Sequence, residues 1–258
     1  MLHGNPGSML DFASLLEPLS GLGDVVAYDA PGFGRSPTPR ARRSVQIEAS
    51  AEIAVHVLDR YDWNDATIVG HSHGGGVAQR IARRWPHRVR SLVLLGTLGA
   101  PAHLSYRLLP FPGVESLLSV AGKGFPKLPR PAQRALVTYF MQWTHAPRSA
   151  TPAEIEEEID LLESNPAMLR NMSMVSRGSP CTALQSEAAD IEAPTLFLHG
   201  SNDRIVPVSH ARNIYESMVA AGGPAKFLEV SHGGHMLASQ MPNLIVDSIR
   251  EFLAALQR

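Results

Sequence analysis

The sequence predicts an α/β fold, a mostly parallel sheet covered on both faces by helices, with a helical segment inserted between two strands. Three observations carry this reading. Apolar runs alternate with segments of helical period along most of the chain. One run ends in Gly70-His71-Ser72-His73-Gly74 and leads into a helix-period segment. Between Gly99 and about Ala189 no convincing strand occurs, and prolines punctuate helical segments instead.

Val25-Val26-Ala27-Tyr28-Asp29 reads as a buried strand that ends at the turn Ala30-Pro31-Gly32-Phe33-Gly34. In residues 45–60, Val45, Ile47, Ile53, Ala54, Val57 and Leu58 recur at roughly helical spacing. Ala66-Thr67-Ile68-Val69-Gly70 is the next strand, Gly75 to Trp85 a helix that stops before Pro86, and Val89 to Leu95 a further strand. Pro131–Trp143, Pro152–Leu162 and Pro166–Val175 read as helices. Several start with proline in the first turn, where its missing N–H is harmless. Pro101, Pro110, Pro112, Pro126, Pro129 and Pro147 break up the remainder. Pro194–Gly200 returns to the strand pattern, Lys226–Val230 is a last short strand, and Leu244–Leu256 is a closing amphipathic helix. The expected organisation is therefore a core of residues 1–98 and 190–258 carrying a helical cap at 99–189.

Bulk composition narrows the class. The chain has 258 residues, 44% hydrophobic and 18% charged, which suits a soluble globular protein with one large domain or one domain with an insertion. Lys plus Arg number 23 and Asp plus Glu 24, so no basic face is announced and no nucleic-acid partner is expected. No run approaches the apolar length of a membrane span. A single cysteine, Cys181, excludes an intramolecular disulfide. With no signal peptide visible at Met1-Leu2-His3-Gly4, the expected location is cytoplasmic. The sequence leaves the oligomeric state open.

The chemistry centres on Gly70-His71-Ser72-His73-Gly74, a G-x-S-x-G in the strand–turn–helix context that this motif requires. A serine on so sharp a turn projects its hydroxyl away from the sheet. The flanking positions are glycine because a β-carbon there would strike neighbouring backbone. The helix that starts here points its positive end at the site, and the N–H of His73 can stabilise a developing oxyanion. His3-Gly4-Asn5-Pro6-Gly7 is the second piece, and the backbone N–H of Asn5 is the expected second donor. One such donor is worth ~3 kcal/mol of transition-state stabilisation.

At these residues the chain resembles the α/β-hydrolase fold family. His3-Gly4-Asn5-Pro6-Gly7, Asp29-Ala30-Pro31-Gly32-Phe33-Gly34-Arg35-Ser36 and Gly70-His71-Ser72-His73-Gly74-Gly75 match three of its motifs in order. Leu198-His199-Gly200-Ser201-Asn202-Asp203-Arg204-Ile205-Val206-Pro207 matches its acid turn, and Gly234-His235 with Pro242 beyond matches its histidine loop. The resemblance covers nearly the whole chain outside the insertion. It implies a serine hydrolase with Ser72 as nucleophile, His235 as general base and Asp203 as the acid that orients the histidine. Asp190 and Glu192 precede their strand and would sit at its wrong end, and no carboxylate follows Gly96-Thr97. Asp29 is expected to brace the Gly32-Phe33-Gly34 turn. Between His232 and His235 the family pattern, glycine before the base and proline several residues after it, favours His235.

His71 is expected to pack under the turn and His73 to shape or polarise the pocket. The chain has 11 histidines, but no metal is expected, because no His-Glu-x-x-His helix or carboxylate cluster supplies a ligand set. No organic cofactor is implied either, since acyl transfer through Ser72 needs none. The cap should choose a small-molecule substrate. Leu108, Leu109, Phe111, Leu117, Phe125, Phe140, Met141, Trp143 and Met168 are candidates for an apolar pocket, although packing between cap helices claims most of them. Arg107 and Arg170 are the cations that could meet a substrate carboxylate.

The expected substrate is an apolar or medium-sized ester or related acyl compound. A carbon–carbon bond hydrolase of the diketone type, a thioesterase or an amidase would use the same residues, and a receptor-like binding module would use the same fold. Epoxide hydrolases and haloalkane dehalogenases of this fold need a carboxylate where this chain has Ser72. In one respect the chain departs from its family. Members carry two strands before the His-Gly motif, which here begins at residue 3, so the N-terminal strands are expected to be missing. A version extended upstream is expected to be more stable.

Overall fold

Four strands, β1 (Ala66–His71), β2 (Val89–Leu95), β3 (Thr195–Gly200) and β4 (Ala225–Val230), pair in that order, and every pairing is parallel. The computed structural model that shows this describes residues 1–40, 45–97, 104–177 and 187–257. Cys181, Pro101 and the expected start of the cap at residue 99 lie outside the described residues.

Side chains alternate across the sheet because the strand period is two. On one face Ile68, Leu92, Leu94 and Phe197 are buried with helices α2 (Ile47–Arg60), α3 (His73–Arg84) and α9 (Val208–Ala220). On the other, Val69, Val93, Leu95, Leu196 and Leu198 are buried with α1 (Ala13–Ser20) and α11 (Pro242–Leu256). Each fully buried side chain of this size stabilises the fold by about 1.5–3 kcal/mol. Helix α11 starts with Pro242 at its first position. It then places Ile245, Val246, Ile249 and Phe252 on one stripe against the sheet.

Among the described residues, α4 (Leu104–Leu108), α5 (Val114–Gly124), α6 (Arg130–Thr144), α7 (Pro152–Ser164) and α8 (Met168–Arg177) lie between β2 and β3. No strand occurs among the described residues of this segment. These helices bury a core of their own, with Phe125, Val137, Ile159, Met168 and Val175 packed against Phe33 and Val45. Helix α7 opens with a capping box. Thr151 Oγ1 accepts from Glu154 N at 3.2 Å, and the Glu154 carboxylate accepts from Thr151 N at 2.7 Å.

Val25–Asp29, expected as a buried strand, is not a strand of the sheet. Its sequence alternation persists, with Val25 and Ala27 packed against one core and Tyr28 against the other. Among the described residues it is met by Met1–His3 through separate hydrogen bonds rather than a ladder. The Met1 ammonium donates to Val26 O at 2.6 Å and Ala30 N donates to His3 Nε2 at 2.9 Å. On its other side this short segment makes a single parallel bridge, Leu2 with Gly70. Helix α1 escaped the sequence reading because Pro18, a helix breaker by rule, sits inside it.

Gly74 of α3 packs directly against the Leu2–His3 backbone. A β-carbon on Gly74 would lie 2.6 Å from His3 O and closer still to the Leu2 carbonyl. Gly74→Ala should therefore destabilise the protein by about 3 kcal/mol or more in urea unfolding. Gly124→Ala meets nothing within 4 Å and should be neutral or stabilising by up to about 1 kcal/mol.

Candidate active site

With all strands parallel, the loops that leave β1, β3 and β4 emerge at one edge of the sheet. Ser72, Asp203 and His235 are each on one of those loops. Ser72 has φ 51° and ψ −117°, a left-handed conformation that costs a non-glycine residue ~1–3 kcal/mol. Its backbone is fixed from both sides, with Ser72 N donating to Leu95 O and Gly75 N donating to Ser72 O, both at 2.9 Å. The turn is possible because Gly70 carries no β-carbon, which would otherwise sit 2.7 Å from Gly75 Cα. Immediately afterwards α3 begins. The N–H of His73 is its first, with no carbonyl partner inside the helix.

Asp203 is fully enclosed. Its Oδ1 accepts from Ile205 N and Val206 N, both at 2.8 Å, and its Oδ2 accepts from His235 Nδ1 at 2.7 Å. A second imidazole, His199, places its Nε2 3.2 Å from the same Oδ2 and 2.9 Å from Val206 O. Burial alone would raise the Asp203 pKa. The charge of His235 and the hydrogen bonds from His199 and His235 prevail and hold the carboxyl well below its usual range. His235 that gives its Nδ1–H to Asp203 carries its lone pair on Nε2, the form a general base needs. Gly96 sits beside the pair at φ 48°, in the left-handed region that favours glycine. His232, the rival histidine, is exposed on the turn, where its backbone N–H donates to Ser201 Oγ at 3.0 Å.

His71 does pack under the turn, but against His235 rather than against neutral backbone. The two ring centroids are 4.8 Å apart, and His71 Nε2 meets the His235 carbonyl at 3.0 Å. Burial, and then the charge of His235, push the His71 pKa down to about 3. Burial also pushes His73 down to about 3. The His73 side chain does not shape the cavity at Ser72. It faces a separate void of about 20 Å³ beside Phe33 and Val45. Asn5 does border Ser72, and its side chain is anchored by Nδ2 donating to Met172 O at 3.2 Å and Ser176 Oγ at 3.3 Å. Asp29 braces its turn as expected, accepting from Met9 N at 2.7 Å and Arg35 N at 2.8 Å.

Ser72 and His235 open into a cavity of about 90 Å³ roofed by α4, α6 and α7. Of the nine apolar cap side chains expected here, Phe140 and Met141 line it. Leu109, Phe125 and Met168 pack in the core that the α4–α8 segment forms, Leu108, Phe111 and Leu117 are exposed, and Trp143 is half-buried elsewhere. Arg107 and Arg170 do not line it. Nor is the wall apolar, because Asp11, Glu154, Glu157 and Glu158 contribute to it. Burial and then the Glu157 charge raise Glu158 to about 7, and burial and then the Glu158 charge raise Asp11 well above the ordinary range. No His, Cys, Asp and Glu group able to hold a metal ion occurs among the described residues. No helix among them is long and apolar enough to cross a membrane.

Two features escaped the sequence reading. His199 had a readable signal, an imidazole four residues before the acid at the end of a buried strand. The carboxyl wall had none, since Asp11 and the α7 glutamates meet only in three dimensions. Glu158 yields a pH effect. Its pKa is raised on folding, so its contribution to stability is full below about 4.5 and is lost as pH rises through about 7. Glu158→Gln should therefore melt a few degrees above the wild type at pH 8 and not at pH 5, measured by differential scanning calorimetry.

Comparison with known proteins agrees with the fold. The chain is 26% identical over 264 residues, 99% of its length and 88% of the relative's, to a 2-hydroxy-6-oxo-2,4-heptadienoate hydrolase of Pseudomonas putida. It is 27% identical over 266 residues to a 2-hydroxymuconate semialdehyde hydrolase of a Pseudomonas species, covering 99% of this chain and 87% of that one. A thermophilic esterase from Thermogutta terrifontis superposes with a TM-score of 0.74 at 19% identity, over 100% of this chain and 89% of that one. The family model for the alpha/beta hydrolase fold matches residues 1–240, and the chain belongs to that family.

Proposed function

We propose that this chain is a serine hydrolase that transfers an acyl group to water through Ser72, with His235 as general base, Asp203 as its orienting acid and residues 99–189 as a cap over the site. The observation that supports it most is the 2.7 Å contact of His235 Nδ1 with the enclosed Asp203 Oδ2, at the mouth of a cavity that also receives Ser72. In the first step His235 Nε2 takes the Ser72 proton as Oγ attacks the substrate carbonyl. The N–H groups of Asn5 and His73 hold the oxyanion. Collapse breaks the bond to the leaving group, which departs with the proton from His235. Water then adds to the acyl-enzyme by the same route, giving the acid and restoring Ser72.

The substrate in this reading is a carboxylic ester or related acyl compound. A second reading, hydrolysis of a carbon–carbon bond beside a ketone, has the names of two relatives in its favour. Both run through the same acyl-enzyme. They differ in the leaving group, an alcohol oxygen in one case and a carbanion that must be protonated in the other.

A fluorophosphonate should add once to the folded protein, at Ser72, by intact-mass and peptide analysis. A folded protein that takes no adduct would leave a binding module as the better account. Ser72→Ala should lower kcat on a p-nitrophenyl ester by ~10⁶, as removal of the nucleophile does in comparable sites. His235→Ala should fall by a comparable amount, whereas His232→Ala should stay within about threefold of the wild type. Loss of activity in the His232 variant with retention in the His235 variant would reverse the assignment of the base.

A further inference from the structure

The cavity in front of Ser72 and His235 presents charge of one sign. Asp11 reaches it from the loop before α1, and Glu157 and Glu158 reach it from α7. Glu154 lines it as well, but Arg148 at 2.7 Å offsets that carboxylate, and His145, which also borders the cavity 3.8 Å from Glu154, is held below the ordinary imidazole range by burial. Arg35 acts on Glu157 from outside the wall. No lysine or arginine lines the cavity among the described residues.

Two uncharged side chains on the wall add bare acceptors. His71 is 4% exposed and borders the cavity, and its Nε2 is engaged by the His235 carbonyl. That leaves His71 Nδ1 a buried acceptor with no partner. Asn5 Oδ1 is a second partnerless acceptor, because the Asn5 amide is held through its Nδ2. Two aromatic rings complete the wall, Tyr106 and Phe140, with centroids 5.9 Å apart and planes at 33°. Carboxylates, bare acceptors and aromatic faces together are the surroundings that stabilise an alkylammonium group. They repel a carboxylate, which would meet three acids and no compensating cation.

We infer that the cavity accepts acyl substrates bearing an ammonium group and discriminates against those bearing a carboxylate. This rests on the serine-hydrolase reading and names the substrate class within it. It separates the chain from relatives whose printed substrates are dienoates, which are anions. The repulsion among Asp11, Glu157 and Glu158 is relieved when a cation enters, so the acids give up their protons on binding. Preference for the cation should therefore strengthen as pH rises through about 7, where Glu158 ionises.

The test uses the wild-type protein and three p-nitrophenyl esters of one shape: 4-(trimethylammonio)butanoyl, 5,5-dimethylhexanoyl and glutaryl. A second set carries the same three groups on the alcohol side. In at least one set kcat/KM should fall from ammonium to neutral to carboxylate by about tenfold or more per step. The spread should be larger at pH 8 than at pH 6, and smaller in Glu158→Gln. In parallel, phenyltrimethylammonium should protect Ser72 from fluorophosphonate at a concentration about tenfold below that of benzoate. Equal rates across both sets, or protection by benzoate as good as by the cation, would overturn the inference and leave the serine hydrolase standing. Absence of any adduct at Ser72 would instead remove the reading on which it rests.

Discussion

The left-handed backbone at Ser72 is the constraint around which this end of the molecule is organised. A side chain with a β-carbon does not adopt φ 51° without surrounding structure to hold it there. The holding groups are backbone contacts at very short range. Gly70 lets the chain pass over Gly75, and Gly74 lets α3 press against the Leu2–His3 backbone. The same approach that aims the Ser72 hydroxyl outward also sets the first N–H of α3 beside it. Under the proposed chemistry, nucleophile placement and oxyanion stabilisation are consequences of one bend rather than separate devices.

Parallel strand order then determines what meets that hydroxyl. Because β1, β3 and β4 share a direction, residues separated by more than a hundred positions reach one rim. Asp203 is the most constrained group there, with four hydrogen-bonding neighbours on its two oxygens. An enclosed carboxylate with that many donors stays ionised despite its burial. His199 matters in this balance. It supplies a second imidazole donor to Oδ2 and leaves Asp203 little freedom to rotate away from His235. On the opposite side His71, kept neutral by burial, supports the His235 ring through its carbonyl and its face.

Much of this was readable from the sequence, and the failures have distinct physical causes. Local patterns carried β1, β2, β3, α3, α7 and α11, because strand runs and capped helices record their burial in their own residues. The sharp turn at Ser72, the acid after a strand at Asp203 and the glycine–histidine pair at His235 are local signatures, which is why the sequence alone nominates those residues. Val25–Asp29 failed as a strand for a non-local reason, since strand pairing depends on a partner that its own residues do not record. The cavity wall failed for another. Helical period shows that Phe125 and Met168 face inward but not whether inward means a core of the α4–α8 segment or the substrate. Both are in that core. Nothing local marks Asp11 and Glu158, which the fold brings together and partly encloses at the cavity.

That enclosure bears on how the proposed chemistry and the proposed selectivity coexist. An acyl-transfer site must stabilise a developing oxyanion, so negative charge close to the reacting carbonyl would raise the barrier. Here the carboxyls come from α7 and the loop before α1, while the backbone donors expected to hold the oxyanion belong to the Ser72 turn and the Asn5 loop. Burial first and neighbouring carboxylates second raise the pKa values of Asp11 and Glu158, that of Glu158 to about 7, so the wall carries less than its full negative charge while the cavity is empty. An ammonium-bearing substrate would ionise them against its own positive end, so the negative charge appears already compensated. A carboxylate-bearing substrate would find no such partner and would have to be desolvated at full cost. The wall can therefore filter by charge without opposing the step at Ser72.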